Sequence, residues 1–402
     1  VIGQLPRSTA VLRLAEFDRG KDGLWFRVRT VGTNVPPVEG WVPAASLARS
    51  RGLTEGDFAN LQYGPIPKRA YPNNPRRQVQ ALFVSLPALS SSRFQEILDI
   101  ARKTSVNALV IDFKDDDGLL LLPSSAVATR MNPEAVRKSH DSNWASRVRE
   151  LKAMDLYLIA RIVAFKDPCY ARQHPQKAVL DANTRQPYRS RDGLMWASPY
   201  DPEFRAYNLA LGEEAAAAGF NEVQYDYIRF PDVPRHARLD FRSGTGQTRC
   251  EAVQSFLLEA RRRLEPLGVY LAADVFGLIC TTKDDMRIGQ YWEAVSNAVD
   301  YICPMMYPSH YSNMNYGLPI PDQQPYELVR RGIADAIRRN RNLETPAELR
   351  PWLQGFTATW VKGYRNYGPA EVKAQVRALA ENGVRSWLIW HPGGRYDVAA
   401  YR

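Results

Sequence analysis

Val79-Gln80-Ala81-Leu82-Phe83-Val84-Ser85-Leu86 is the stretch on which the fold turns. A short apolar run between a Pro-rich segment and a Ser-rich turn reads as a buried strand. The segment after it, Arg93–Lys103, repeats its apolar residues at three and four, the spacing of an amphipathic helix, and Ala108–Phe113 is apolar again. Strand, helix, strand is the unit of a parallel sheet with helical crossovers. The unit recurs downstream, with strands at Tyr157–Val163, Glu222–Tyr227, Tyr270–Phe276, Tyr301–Met306, Pro351–Phe356 and Trp387–Trp390. Helical patterns fall between them at Trp144–Ala153, Pro202–Ala218, Ala252–Leu264, Tyr291–Val299, Tyr326–Arg339 and Pro369–Glu381. Gly219, Gly268 and Gly383 stand where a helix hands over to a strand. Eight strands with seven intervening helices predict a closed (β/α)8 TIM barrel over residues 79–402. An open doubly wound sheet would need fewer strands and a Gly-rich first turn; no G-x-G-x-x-G follows the first strand, which argues against a dinucleotide enzyme.

Upstream the pattern is different. Leu24-Trp25-Phe26-Arg27-Val28-Arg29 alternates as a half-buried strand does, and Glu39-Gly40-Trp41-Val42-Pro43-Ala44-Ala45-Ser46-Leu47 follows a Gly/Pro-rich turn. The W-x-x-V strand and the closing G-W-V-x-x-x-x-L stretch resemble a bacterial SH3 domain. That resemblance makes residues 1–50 a small all-β SH3-like domain, the alternative being a plain β-hairpin packed on the barrel. Residues 51–78, with Ile66-Pro67-Lys68-Arg69 and Tyr71-Pro72-Asn73-Asn74-Pro75, read as a linker or wrapping segment.

Composition narrows the class. Of the 402 residues 45% are hydrophobic, and no apolar run reaches the roughly 18 residues needed to cross a bilayer, so no transmembrane span is expected. The 53 Lys+Arg against 43 Asp+Glu give +10, a balance compatible with nucleic acid, an anionic envelope surface or an acidic polysaccharide. Clusters such as Arg261-Arg262-Arg263 and Arg338-Arg339 fall in helical patterns, so solvated helix faces are expected rather than a nucleic-acid groove. Cys169, Cys250, Cys280 and Cys303 lie far apart without a C-x-x-C pair, which argues against a zinc site. No cofactor or metal is expected. The chain starts at Val1 with no charged or apolar leader, so a secretion signal or anchor is expected to have been removed.

Barrel enzymes place reacting groups at the C-terminal ends of their strands. Here those ends are acidic and aromatic. A carboxylate inside an apolar strand is costly to bury unless it is hydrogen-bonded or paired, which singles out Asp226 and Asp274. They end neighbouring strands, about 4.8 Å apart in a sheet, so both carboxyls are expected to converge on one substrate atom. Glycosidic cleavage uses such a pair, one group protonated and one ionised, and like charges so close push their pKa values apart. The competing reading ties Asp226 to Arg161 or Arg229 as a structural ion pair. Asp112, Lys114, Arg161, Tyr227 and Arg229 are expected at the same rim to hold sugar hydroxyls or an acidic substituent. Tyr307, His310, Trp360 and Trp390 offer flat faces with polar tips for stacking on a pyranose ring, or belong to the core. Asp115, Asp116 and Asp117 read as a solvated turn or a weak cation site.

At Gln224-Tyr225-Asp226-Tyr227-Ile228-Arg229-Phe230-Pro231 the chain resembles a family of glycoside-hydrolase-like barrels, formerly a domain of unknown function, whose fourth strand ends in D-Y-I-R-F-P. The D-F-K-D-D-x-G, A-R-I-V-x-F-K-D, A-D-V-F-G and M-x-Y-P-S-H-Y strand ends accompany it, so the resemblance covers most of residues 79–402. It implies polysaccharide hydrolysis, with Asp226 as the principal catalytic candidate. The D-x-x-D-x-D-x-E run of chitinases is absent, which weakens a substrate-assisted mechanism. The expectation is a secreted, periplasmic or cell-surface bacterial glycosidase acting on an envelope or extracellular polysaccharide, with peptidoglycan as the expected ligand of the SH3-like part. A non-catalytic polysaccharide-binding protein on the same barrel is the alternative. A metal-dependent deacetylase ranks low, since none of the five histidines forms an H-x-x-x-H pair.

Overall fold

Inward-facing and outward-facing residues alternate along the long strands, and the two resulting cores define the architecture. The computed structural model describes residues 11–20, 23–30, 38–43, 58, 60–139, 141–234, 236–242 and 246–402. Strands β1 (Val11–Gly20), β2 (Gly23–Thr30) and β3 (Glu39–Pro43) form an antiparallel three-stranded sheet in that order. Phe26 pairs with Val42, and Glu39 holds Arg27 and Arg29 across the sheet, at 3.1 and 2.6 Å. The two strands expected there are present, with β1 in addition; Ala44–Leu47, the end of the SH3-like motif, lies outside the described residues.

The remaining strands are β4 (Gln80–Val84), β5 (Ala108–Lys114), β6 (Tyr157–Val163), β7 (Leu180–Asp181), β8 (Glu222–Asp226), β9 (Leu239–Asp240), β10 (Tyr270–Phe276), β11 (Tyr301–Met306), β12 (Glu348–Leu349), β13 (Trp352–Gln354) and β14 (Trp387–Trp390). The ring runs β4-β5-β6-β8-β10-β11-β13-β14 and back to β4, every pairing parallel. This is the closed eight-stranded barrel with flanking helices that the repeating pattern predicts. The seventh strand is broken: β12 pairs with the start of β11, Arg350-Pro351 interrupts, and β13 resumes, as expected where a proline removes a ladder donor. Strands β7 and β9 make a two-stranded ribbon apart from the ring.

Helix boundaries follow local chemistry. Asp201 caps Pro202–Ala217 by accepting from Phe204 N, and Thr248 with Glu251 closes a capping box on Arg249–Leu264. Gly219, Gly268 and Gly383 all adopt positive φ, at 95°, 68° and 79°. On the outward faces Leu82, Val84, Leu109, Ile111, Leu158, Val223, Leu271 and Ile302 pack against helices. The inward faces hold Ala81, Phe83, Val110, Tyr157, Ile159, Tyr270, Ala272, Tyr301, Cys303, Tyr307 and Trp352. Residues 62–78 are stitched to the barrel: Gln62 N donates to Gln254 Oε1 (2.7 Å), Ile66 N to Thr345 Oγ1 (2.8 Å), and Asn74 Nδ2 to the carbonyls of Asn221 and Gly268 (2.7 and 2.9 Å). Among the described residues no helix is long and apolar enough to cross a membrane.

Candidate active site

Because side chains alternate, Glu222, Gln224 and Asp226 of β8 share one face, opposite Val223 and Tyr225 in the outer core. Asp226 ends that strand. The chain then turns at Tyr227, whose φ of 49° is left-handed, and Tyr227 N donates to Asp226 Oδ1 at 2.6 Å. A tyrosine in that conformation is strained and persists where its surroundings hold it; here Phe165 N donates to its carbonyl (3.3 Å).

Arg161, inward on β6, collects the carboxylates of three segments. Its Nε and Nη2 donate to Asp226 Oδ2 (2.9 and 2.7 Å), Nη1 to Asp112 Oδ1 (2.6 Å) and Nη2 to Asp116 Oδ2 (3.3 Å). The guanidinium lies 5.5 Å from the Phe83 ring centre. Opposing carboxylates hold Arg161 well above its ordinary pKa in spite of burial. Lys166 extends the network to Asp116 (3.3 Å), Asp192 (2.6 Å) and Tyr227 Oη (3.4 Å).

Arg161 and its three carboxylate partners line a cleft of about 720 Å³ at the C-terminal ends of the strands. Its lining includes Asp112, Asp115, Asp116, Asp226, Tyr227 and Arg229, the last beside Phe276, and the rings of Tyr307, His310, Trp352 and Trp390. The aromatic rings are layered, with Tyr307 5.2 Å from Trp390 and Phe356 4.9 Å from Trp390 and 5.9 Å from Trp360. Trp360 is 65% exposed at the rim, edge-on to His310. Gly277 lets the chain after β10 pack closely on its neighbours: a Cβ there would overlap Met305 O and Tyr311 Oη.

Of the residues expected from sequence, the cleft gathers Asp112, Arg161, Asp226, Tyr227, Arg229, Tyr307, His310 and Trp390, with Trp360 beside it. Two sit elsewhere. Lys114 is fully buried outside the cleft, donating to Asp167 Oδ2 (2.9 Å), Asn208 Oδ1 (2.7 Å) and Ala164 O (3.2 Å). A register shift between Asp112 and Lys114 breaks the alternation, so the lysine turns toward the helix layer instead of the barrel interior. Asp274 faces inward on β10, next in register to Asp226, but is 0% exposed and absent from the cleft wall, whereas Asp226 is 6% exposed. Trp352 Nε1 donates to Asp274 Oδ1 at 2.7 Å, and Oδ2 has no protein partner among the described residues. Burial, then the neighbouring Asp226, push the Asp274 carboxyl well above the carboxylate range.

Asp226 is ion-paired with Arg161, as the structural alternative required, and it also faces the cleft; Arg229 has no carboxylate within ion-pair reach among the described residues. Asp115 is half turn, half wall: its Oδ1 accepts from Asp117 N and Leu119 N (3.0 and 2.8 Å) while the residue lines the cleft, and burial raises it to about 7. Trp352 and Lys166 are contributors that strand-end reading missed, Trp352 because it reads as a core tryptophan and Lys166 because its carboxylate partners come from distant loops. Among the described residues no group of three His, Cys, Asp or Glu is arranged to hold a metal ion.

The chain is 31% identical to a hypothetical protein from Ruminiclostridium thermocellum, covering 48% of this chain and 97% of that one, with a TM-score of 0.42. The PgaB (BpsB) glycoside hydrolase domain from Bordetella bronchiseptica superposes with a TM-score of 0.57 at 13% identity, over 79% of this chain and 97% of that domain. Alpha-L-fucosidase isoenzyme 2 from Paenibacillus thiaminolyticus gives 0.53 at 13%, over 81% of this chain and 48% of that one. At such identities these last two share the fold alone. No curated protein matches the chain. Residues 81–396, nearly the whole barrel, match the family described as "Putative glycosyl hydrolase domain", and the chain belongs to that family.

Proposed function

We propose that the protein is a glycoside hydrolase of a bacterial cell-envelope or extracellular polysaccharide, working by a paired-carboxylate mechanism at the C-terminal rim. The observation that carries this reading is the cleft itself: Asp226, which accepts two hydrogen bonds from Arg161, lines it together with Tyr307, Trp390 and His310. The rings offer an apolar platform for a pyranose face, and the carboxylate is the group that would act on the glycosidic bond.

The reaction needs a second carboxyl, protonated at the start. Asp274 is the partner suggested by strand position, but it stands behind Trp352 without access to the cleft. Its protonated form lowers the charge crowding on Asp226, which makes it a positioning residue. Asp115 reaches the cleft and is raised to about 7 by burial, the value suited to a proton donor near neutral pH. In this scheme Asp226 attacks or activates water and Asp115 protonates the leaving oxygen. The N-terminal sheet, read as an SH3-like module over residues 1–50, would bring the barrel to peptidoglycan, and the enzyme would work outside the cytoplasm.

The test is reducing-end release from a panel of bacterial polysaccharides by the wild type, Asp226→Asn, Asp115→Asn and Asp274→Asn. Cleavage lost in the first two and retained in the third supports the scheme. Loss in Asp274→Asn equal to that in Asp226→Asn would restore Asp274 as a reacting group. A second reading, a non-catalytic polysaccharide-binding protein, draws on the enclosure of Asp274; it takes over if the wild type binds a glycan and never cuts it.

A further inference from the structure

The cations around the cleft are not equivalent. Arg161 is matched by Asp226, Asp112 and Asp116, and Lys166 by Asp116 and Asp192. Arg229 lines the same cleft, is 9% exposed, and has no carboxylate within 4 Å among the described residues. Its Nη1 donates to Phe230 O at 3.0 Å, its one hydrogen bond among them. Three rings cage the guanidinium, Phe276 at 4.5 Å, Tyr227 at 4.9 Å and Trp196 at 5.0 Å from its centre. Asp226 and Asp232 act on it only from beyond ion-pair distance.

A guanidinium taken out of water without a counter-charge is costly, and aromatic faces return only part of that cost. The cage also fixes the plane of the group, leaving its unbonded N–H edge as a rigid fork on the cleft wall beside Asp226. Planar forks of this kind match a carboxylate with two parallel hydrogen bonds. We infer that Arg229 is the receptor for a carboxylate carried by the substrate, so that the cleft takes an acidic glycan built with uronic acid units. The inference rests on the cleft being the glycan site and gives that site its sugar class.

Isothermal titration of the whole chain with sodium D-glucuronate and D-galacturonate, against D-glucose and D-galactose, tests it without requiring turnover. The wild type is expected to prefer the uronates by about ten-fold, the scale of one charge-assisted hydrogen-bonded pair. Arg229→Gln should lose that preference, the ratio of uronate to neutral-sugar affinity falling to about one, with a thermal melt establishing that it is folded. Arg229→Lys, which keeps the charge and loses the fork, should retain an intermediate preference and serves if the glutamine variant does not fold. Absence of a uronate preference in the wild type, including absence of binding, overturns the inference, as does a preference unchanged in either variant. Hydrolysis of a neutral polysaccharide would leave the glycosidase standing and remove the uronate; a uronate preference without hydrolysis would do the reverse.

Discussion

Among the described residues the inward face of β8 carries two buried carboxylates paired with guanidinium groups, Glu222 and Asp226, and they differ in what lies above them. At the floor Glu222 opens β8, and its Oε2 accepts from Arg350 Nη1 at 2.5 Å and from Tyr157 Oη at 3.0 Å. Both charged residues are fully buried, and Arg350 stacks 3.6 Å from the Tyr301 ring centre. Four residues on, Asp226 ends the same strand against Arg161, with a cleft over it. The pairing chemistry is shared. At the floor the residues that start the strands close over it, so the cluster can serve only the fold, while at the rim the loops leave room for a ligand. A buried ion pair is therefore poor evidence of function until its access is known.

Breaking the floor should have the largest effect on folding. Arg350→Met strands the Glu222 carboxylate in the barrel and should cost about 3–5 kcal/mol in urea unfolding. Adding Glu222→Gln should recover a substantial part, and a single variant as stable as the wild type would show that the floor carries no such charge pair.

At the rim the same kind of change should read out in chemistry. Asp226→Asn is expected to lower kcat by about 10²–10⁴-fold with a smaller loss of stability than Arg350→Met, since Asp112 and Asp116 still hold Arg161. Equal destabilisation by the two variants would erase the distinction between floor and rim. With Asp115 as the acid, kcat/KM should fall as pH rises through about 7, because the protonated form is the working one; Asp115→Asn should remove that limb of the profile.

Smaller effects follow at the aromatic rings. Trp390→Ala should weaken glycan binding by about 5–10-fold, the worth of roughly 1 kcal/mol of stacking, and Trp360→Ala by less, since that ring is mostly solvated. Asp274→Asn should have the smallest effect on activity and an informative sign in stability. A carboxyl raised in the folded state binds its proton more tightly there than in the unfolded chain, so its contribution to stability declines as pH rises above the unfolded value, near 3.9. The asparagine, which resembles the protonated acid, should raise Tm relative to wild type at pH 7, with the difference shrinking toward pH 4. A difference that grows with acidity would mean that Asp274 is ionised.

The sequence by itself determined the barrel, because the period of apolar residues, the capping residues and the αL glycines are local properties that each segment carries alone. It also determined that Asp226 sits at a strand end, since inward facing follows from alternation and the rim from strand polarity. What only the tertiary structure decided was access and partnership. Lys114 left the site because one bulge reversed its face, and Asp274 was enclosed because Trp352, 78 positions away, reaches its carboxyl. Among the described residues Arg229 has no carboxylate within ion-pair reach, because the side chains packed on it, Trp196, Tyr227 and Phe276, are rings. These outcomes depend on which distant side chains fill the space beside a residue, and that is fixed when the strands close into a ring.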